Sequence, residues 1–160
     1  MLNTSTPNTQ RRFVLACAIS GMLPFKLLMA ASTKPAIEIW LSPTCGCCHD
    51  WMNHMVKNGF EITAVHNDGN DRARQKLGIL AQYGSCHTAL INGYAFEGHV
   101  PAKDVYRVLK EKPDIVGLAV PGMPIGSPGM DGPEYKGRKD PYEVLAIAKN
   151  GRSTIYQRYG

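Results

Sequence analysis

The 160-residue chain lacks several features that would point to common classes of protein. Residues 1–31 contain none of its 13 acidic residues, although they contain three of its 18 basic ones. Its longest apolar run falls short of the roughly 20 residues that a membrane-spanning helix needs, because Pro24 and Lys26 interrupt it. We find no internal repeat and no basic patch with interleaved aromatic residues. These absences argue against nucleic acid as a partner and, once the N-terminal segment has been removed, against stable membrane insertion.

The N-terminal segment has the three parts of a secretory signal peptide. Polar residues end in Arg11-Arg12, an apolar stretch covers residues 13–30, and small residues follow at Ala30-Ala31-Ser32. We therefore predict a signal peptide over residues 1–31 and an exported domain over residues 32–160. The alternative is an N-terminal anchor that stays attached. Paired arginines also occur in twin-arginine signals, so the general secretory and twin-arginine routes both stay open.

Removal of that segment changes both the net charge and the number of cysteines. The net charge falls from +5 to +2, since 15 basic and 13 acidic residues remain. Four cysteines remain, which are Cys45, Cys47, Cys48 and Cys86. In an oxidising compartment four cysteines could form two structural disulfides. Three of them lie within four residues, so disulfides among them could not connect distant parts of a fold. The clustering therefore indicates a metal or redox site.

The first half of the exported domain alternates between strand-like and helix-like patterns. Residues 37–41 and residues 60–65 alternate in polarity and predict two strands. Between them, residues 47–57 gather their apolar side chains on one helical face and predict a helix. Asn70-Asp71 can cap a second helix that runs to about residue 82. The inward-facing residues of that helix are expected to be Ala73, Leu77, Leu80 and Ala81.

The second half contains two predicted hairpins, a helix and a long loop. Residues 88–97 predict a hairpin around Asn92-Gly93, and Pro101 opens a third helix. Residues 113–135 contain five glycines and five prolines, and a loop of this length in a compact domain is usually functional or disordered. Residues 142–156 predict a second hairpin.

This order of elements resembles the thioredoxin superfamily over roughly residues 36–112. Residues 45–48 lie where a thioredoxin carries Cys-x-x-Cys, and Cys86-His87 takes the place of the proline that precedes the hairpin strand. The resemblance implies an α/β, thioredoxin-like single domain with a Gly/Pro/Met-rich loop over residues 113–135 and an added C-terminal β-hairpin. The missing proline departs from the family's pattern, and two good metal ligands stand in its place.

The predicted start of a helix favours reactive thiols at residues 45–48. Free amide groups and the helix dipole stabilise a thiolate there, which is both the nucleophilic and the metal-binding form. Cys45 and Cys48 lie one turn apart, so they can share a metal ion or form a disulfide. The side chain of Cys47 points away by about 100° if the helix has already begun, whereas Cys86 can approach from the neighbouring strand.

The donor types favour a soft metal ion. Three or four sulfurs with an imidazole favour Cu(I) or zinc over magnesium or calcium. Zinc bound by three cysteines and one histidine is the competing assignment. Met123 and Met130 favour copper, because thioethers bind Cu(I) better than zinc and these residues lie in a loop with no core to fill.

Four segments together resemble the CopG-type family of periplasmic, thioredoxin-like metal-binding proteins linked to copper resistance. They are Cys-Gly-Cys-Cys from residue 45, Gly-Ser-Cys-His-Thr-Ala from residue 84, Glu-Gly-His-Val-Pro-Ala from residue 97, and Gly-Leu-Ala-Val-Pro-Gly-Met-Pro-Ile-Gly-Ser-Pro-Gly-Met from residue 117. The resemblance spans residues 37–148 and implies a periplasmic location and copper binding. The metal ligands that it implies are Cys45, Cys47, Cys48, Cys86, His87, His99, Met123 and Met130.

Each implied ligand also has a purely structural interpretation. The cysteines of residues 45–48 could form only a disulfide, and Cys86 could be a small buried apolar residue. His87 could hydrogen-bond within its turn, and His99 could cap the third helix. The two methionines of the loop could simply pack it against the domain.

Two functional hypotheses remain open. The first is a periplasmic copper-binding protein of copper resistance that sequesters copper, passes it to other periplasmic copper-handling proteins, or interconverts Cu(I) and Cu(II). The second is a periplasmic thiol–disulfide oxidoreductase with Cys45 and Cys48 as its catalytic pair. An oxidoreductase needs no Cys47, no His87 and no methionine loop, so the surplus of soft ligands favours copper binding. Only the redox reactions in these hypotheses would make the protein an enzyme.

Overall fold

The computed structural model describes residues 34–160 and Met1, so the signal peptide predicted over residues 1–31 lies, apart from Met1, outside the described residues. Residues 34–160 belong to one compact unit, Thr33–Gly160, and no helix among them is both long and apolar enough to cross a membrane. The elements, in chain order, are β1 (Ala36–Leu41), α1 (Gly46–Lys57), β2 (Glu61–His66), α2 (Asp71–Lys76), β3 (His87–Ile91), β4 (Tyr94–Glu97), α3 (Ala102–Glu111), β5 (Gly117–Ala119), β6 (Tyr142–Ile147) and β7 (Ser153–Tyr159). Short 3₁₀ turns lie at Ala81–Tyr83 and Pro133–Tyr135.

The strands of the described residues form one mixed sheet in the order β2-β1-β3-β4-β5-β6-β7. β1 runs parallel to β2 on one side and antiparallel to β3 on the other. β3 and β4 form a tight hairpin, β5 runs parallel to β4, and β6 and β7 continue the sheet as an antiparallel hairpin. The structure therefore confirms both predicted hairpins, the two predicted strands of the first half and the helix that follows β1.

The second predicted helix is wrong in length. The structure ends α2 at Lys76, whereas the sequence predicts a helix to about residue 82. Gly78 adopts φ +84°, a left-handed conformation that terminates a helix and that glycine adopts at little cost. Of the residues expected to face inward, Ala73 is buried, whereas Leu80 is exposed. The segment after Gly78 returns to the sheet through Ile79 and Tyr83, which are buried.

The segment predicted as a long loop over residues 113–135 contains a strand. Gly117–Ala119 forms β5, which joins β4 to the C-terminal hairpin. Three residues are too few to show an alternating pattern, and the surrounding glycines and prolines favour the prediction of a loop. The C-terminal hairpin thereby becomes part of the central sheet, and its Tyr159 hydroxyl donates a hydrogen bond to Asp104 of α3 at 2.5 Å.

Apolar residues cover both faces of the sheet because side chains alternate along each strand. On one face, Ile37, Ile39 and Leu41 of β1 pack in the main core with residues of α1 and α3. Trp51 is completely buried in that core, and its indole Nε1 donates to the carbonyl oxygen of Val100 at 2.9 Å. On the other face, a smaller cluster gathers Ile79, Tyr83, Ala95, Ala119 and Ile147. The main core fixes the start of α1 against the sheet, and this is where the cysteines lie.

Candidate metal centre

The register of the sheet brings the separate cysteines together. β1 ends at Leu41, and α1 begins shortly after it at Gly46. Leu41 pairs with His87 across the antiparallel β1–β3 contact, so the start of β3 lies at the same edge of the sheet as the start of α1. Cys86, the residue before β3, is therefore next to residues 45–48. We call Cys45, Cys47, Cys48 and Cys86 the thiol cluster, and their sulfurs all lie within 4.8 Å of one another.

Two members of the thiol cluster form a disulfide. Cys48 shares the buried face of α1 with Trp51 and Met55, whereas Cys45 precedes the helix and is partly exposed. The two are bonded to each other, with Cα atoms 5.4 Å apart. Of the two states that the sequence leaves open for this pair, a shared metal or a disulfide, the structure holds the disulfide. Among the cysteines of residues 34–160, Cys47 and Cys86 are the free thiols.

Cys47 links the parts of the cluster. Its Sγ lies 3.6 Å from the Sγ of Cys45 and 3.9 Å from the Sγ of Cys86. It also lies 3.9 Å from the Sδ of Met123. The expectation that its side chain points away from the other sulfurs is therefore wrong. Because α1 begins only at Gly46, Cys47 lies in its first turn. From there its sulfur reaches Cys86, at the start of β3, and Met123, in the loop that follows β5.

Cys86 contacts two imidazoles as well as Cys47. Its Sγ lies 3.1 Å from Nε2 of His99 and 3.4 Å from Nδ1 of His87. Burial, and then the neighbouring Cys47, raise the pKa of the Cys86 thiol to about 12. The thiol is therefore neutral at physiological pH, and a metal ion that binds it must displace its proton.

A backbone carbonyl fixes the proton position on His99. Its Nδ1 lies 2.8 Å from the carbonyl oxygen of Pro128, which can only accept, so Nδ1 carries the proton. Burial lowers the pKa of His99, which keeps the ring neutral. A neutral ring with its proton on Nδ1 has a lone pair on Nε2, directed at Cys86. This is the common arrangement of a metal-binding histidine, in which one nitrogen is held and the other is free.

His87 is completely buried between Trp51 and His99. Its ring centroid lies 4.5 Å from that of Trp51 and 5.2 Å from that of His99. Burial, and then the nearby His99 ring, lower the pKa of His87 well below its ordinary value. Its Nε2 has no hydrogen-bond partner among the described residues, whereas its Nδ1 faces the Cys86 sulfur. His87, His99 and Cys86 form a second group of potential ligands that shares Cys86 with the thiol cluster.

The two methionines of the loop lie in different surroundings. Met123 is half-exposed and presents its sulfur to Cys47. Met130 is buried, and its Sδ accepts a hydrogen bond from the Tyr135 hydroxyl at 3.4 Å. Among the described residues, its sulfur makes no such contact with a cysteine. The structure therefore brings Met123, but not Met130, to the thiol cluster.

Gly129 sets the distance between the loop and α1. A Cβ atom at this position would lie 2.7 Å from the carbonyl oxygen of Cys47 and 2.7 Å from the amide nitrogen of Trp51. Its φ of +85° is also a conformation that other residues rarely adopt. Glycine thus lets the loop lie directly on the first turn of α1, beside the Pro128 carbonyl that holds His99.

A buried polar network that the sequence does not indicate lies behind Cys86, and we call it the Glu97 network (Asn70, Arg74, Ser85, Thr88 and Glu97). The fully buried Glu97 accepts hydrogen bonds from the Ser85 amide at 2.7 Å and from Arg74 Nε at 2.8 Å, and it also bonds the Thr88 hydroxyl. Arg74 and Asn70 donate to the Ser85 carbonyl oxygen at 3.1 and 3.2 Å. These contacts hold the chain on both sides of Cys86. The residues come from α2, β3, β4 and the segments that precede α2 and β3, so only the fold could reveal the network.

The remaining histidines among the described residues with side-chain contacts serve other purposes. Nε2 of His54 accepts the amide hydrogen of Ala102 at 3.2 Å, at the first residue of α3. Nε2 of His66 lies 2.9 Å from Glu38, and its ring stacks on Trp40. Neither histidine belongs to a group of potential ligands.

Comparisons with known proteins point to one family. Residues 83–130 match the model of a family described as a protein of unknown function, DUF411. A solved structure named copper resistance protein CopG, form 2, is 40% identical and covers 80% of this chain and 100% of its own, with a TM-score of 0.73. Form 1 of the same protein is 41% identical and covers 79% of this chain and 98% of its own, with a TM-score of 0.71. No curated protein matches the chain.

Proposed function

The chain belongs to the CopG-type copper-resistance family, and on that basis we propose that it binds copper at the thiol cluster and the two histidines beside it. One observation carries the proposal. Cys47 and Cys86 are free thiols 3.9 Å apart, and Nε2 of His99 lies 3.1 Å from Cys86 with its lone pair available. A metal ion at Cys86 would have a second free thiol on one side and a neutral imidazole nitrogen on the other.

The chemistry of the donors favours Cu(I) over zinc. Thiolates and thioethers are soft ligands, and Cu(I) accepts them in irregular geometries with few ligands. Met123 adds a thioether 3.9 Å from Cys47, and its half-exposed side chain lies at the mouth of the site. A structural zinc site would use four ligands in a closed tetrahedron and would gain little from a thioether. Cu(II), which imidazole also suits, is the second oxidation state that we propose for the bound ion.

The proposed ligands are Cys45, Cys47, Cys48, Cys86, His87, His99 and Met123. Cys45 and Cys48 join this set only after their disulfide is reduced. Met130 joins it only if the loop rearranges, since its sulfur is engaged by Tyr135.

We further propose that β1 to α3 form a thioredoxin-like core. A helix that starts beside a cysteine pair follows the first strand, and the strand order β2-β1-β3-β4 combines one parallel and two antiparallel contacts. Both features support the proposal. In this description, β5 and the C-terminal hairpin extend the sheet beyond that core.

The proposed setting is the periplasm, after export and removal of residues 1–31. The signal-like sequence of that segment supports it. The partners that we propose are copper ions and other periplasmic copper-handling proteins, to which the exposed Met123 would be accessible.

An anaerobic titration with Cu(I) tests the proposal directly. The protein competes for Cu(I) with a chromophoric chelator, and the wild type is compared with Cys86→Ala and with His66→Gln, a histidine remote from the cluster. We expect tight binding by the wild type and by His66→Gln and much weaker binding by Cys86→Ala. Equal affinity of all three proteins, or a preference for Zn²⁺ in a parallel titration, would overturn the proposal.

The disulfide favours thiol–disulfide exchange as a second candidate function. Cys45 is the accessible sulfur at the start of α1, and Cys48 is its buried partner. This is the arrangement in which an external thiol attacks one sulfur and releases the other. Reduction of insulin by the protein at a substantial rate, unaffected by Cys86→Ala, would favour this function over copper binding.

A further inference from the structure

The thiol cluster contains two kinds of sulfur that differ in availability. Cys45 and Cys48 are bonded to each other, so neither can act as a thiolate ligand. Cys47 and Cys86 are free and lie 3.9 Å apart. The disulfide therefore removes half of the cluster and leaves the other half in contact with His99 and Met123.

We propose that the Cys45–Cys48 disulfide controls how much copper the site holds. In the disulfide form, Cys47, Cys86 and His99 bind one Cu(I), with Met123 at the mouth of the site. In the reduced form, Cys45 and Cys48 add two thiolates and the same site holds more than one Cu(I). This inference rests on the proposed function and specifies its regulation.

The geometry of the free half supports a one-copper site. The Cys86 sulfur is 3.1 Å from His99 Nε2, and the Cys47 sulfur is 3.9 Å from both Cys86 and Met123. None of these contacts involves Cys45 or Cys48. The Pro128 carbonyl and the Glu97 network hold His99 and Cys86 independently of the disulfide. While the disulfide is intact, Cys86 therefore keeps a free thiol and a free imidazole nitrogen beside it, the donors from which a one-copper site would form.

The positions of the bonded cysteines support added capacity on reduction. The Sγ of Cys45 lies 3.6 Å from that of Cys47, so a freed Cys45 thiolate could share a metal ion with Cys47. The Sγ of Cys48 lies 3.6 Å from the carbonyl oxygen of Cys86, beside the other free thiol. Two further sulfurs so close to the first pair provide donors for at least one more ion.

The reduction needs a dithiol reductant, which supplies two electrons and two protons. One thiolate of the reductant attacks Cys45, because Cys48 is completely buried and Cys45 is partly exposed. The Cys45–Cys48 bond breaks, and Cys48 leaves as a thiolate that takes up a proton. The second thiol of the reductant then attacks the reductant sulfur of the mixed disulfide. The reductant thereby forms its own internal disulfide and dissociates, and Cys45 is released as a thiol.

The experiment measures Cu(I) stoichiometry in both redox forms. The full chain carries Cys17→Ser, so that every counted thiol belongs to the cluster. One sample is oxidised and the other is reduced by a dithiol that is then removed, and mass spectrometry after alkylation must count two and four free thiols. Both are titrated anaerobically with tetrakis(acetonitrile)copper(I) against a competing chelator. Peptide mapping then records which cysteines the bound copper protects from alkylation.

We expect one Cu(I) per chain in the oxidised form, with protection of Cys47 and Cys86, and at least twice as much copper in the reduced form. Cys47→Ser should abolish tight binding in the oxidised form, whereas His66→Gln should leave both stoichiometries unchanged. The double variant Cys45→Ser/Cys48→Ser should hold one Cu(I) whether or not reductant has been added. If that variant fails to fold, Cys45→Ser alone should bind the same amount of copper before and after reductant.

The possible failures are distinguishable. Equal stoichiometry in the two forms, or binding by the reduced form alone, would overturn this inference and leave the proposed copper-binding function intact. An absence of tight Cu(I) binding in both forms would overturn the proposed function, and the inference with it.

Discussion

The sulfur of Cys86 lies 3.1 Å from Nε2 of His99, a nitrogen that carries no proton because Nδ1 of the same ring donates to the Pro128 carbonyl. The contact joins the start of β3 to the turn that leads into α3. In the metal-free protein the Cys86 thiol can donate to this nitrogen. In the proposed copper form, the ion would replace the proton between the two atoms.

Replacement of His99 by glutamine should weaken Cu(I) binding. The variant loses the imidazole lone pair beside Cys86, and we expect a fall in affinity of about tenfold or more, of the order seen when the ligand environment of a metal is altered. His54→Gln is the matched control, because His54 is also partly buried but contacts the start of α3. Chelator competition measures both variants. Unchanged affinity in His99→Gln would exclude His99 as a ligand.

Copper binding should become tighter as the pH rises. The pKa of Cys86 is raised to about 12, so the thiol is protonated at neutral pH and must lose its proton when the metal binds. Each thiol that does so should increase the apparent affinity by about tenfold per pH unit below its pKa. Cu(I) competition titrations across the neutral range measure this slope. Cys86→Ser should reduce the slope by one proton, and an identical slope in that variant would show that Cys86 is not a ligand.

Disruption of the Glu97 network should affect both stability and copper binding. Glu97→Gln leaves Arg74 without its buried carboxylate partner, and we expect a loss of about 3 kcal/mol in the free energy of unfolding. The Ser85 amide also loses a charged acceptor, so Cys86 should be held less firmly and the Cu(I) affinity should fall. Denaturant unfolding and chelator competition measure the two effects.

Asp71→Asn is the control for that variant. It breaks the pair between Arg74 and the exposed Asp71, which has a side-chain exposure of 90%. We expect its stability to change by less than about 0.5 kcal/mol, with no change in copper affinity. Equal effects of the two substitutions would mean that the buried contact has no special role.

The two methionines should behave differently. Met123→Leu removes the thioether beside Cys47 and should lower the Cu(I) affinity severalfold. Met130→Leu removes a buried sulfur that contacts Tyr135, so it should leave the affinity unchanged. Competition titrations of both variants test this difference. A larger effect from Met130→Leu would mean that the loop rearranges when copper binds.

Much of the candidate site could be predicted because its residues are close in sequence or follow a strong local pattern. The alternation in β1 and the helical periodicity of α1 fix the position of residues 45–48 at the end of a strand. The Asn92-Gly93 turn fixes the hairpin, and therefore the approach of Cys86. The local sequence pattern was sufficient to predict these elements.

Other features depend on contacts between distant segments. The side chain of Cys47 takes its direction from Cys86 and Met123, which the chain brings to it through the sheet and the loop. The Glu97 network assembles polar residues from several separate segments of the chain, and no local pattern indicates that they meet. The strand β5 is held by its pairing with β4 and β6 rather than by its own three residues.

The metal content of the protein as isolated shows whether its thiol cluster binds copper in the cell. The wild type and Cys86→Ala are purified anaerobically from copper-exposed cells, and their metal content is measured by mass spectrometry. We expect copper to be the dominant metal in the wild type and to be largely lost from Cys86→Ala. Zinc as the dominant metal, or equal copper in the two proteins, would contradict it.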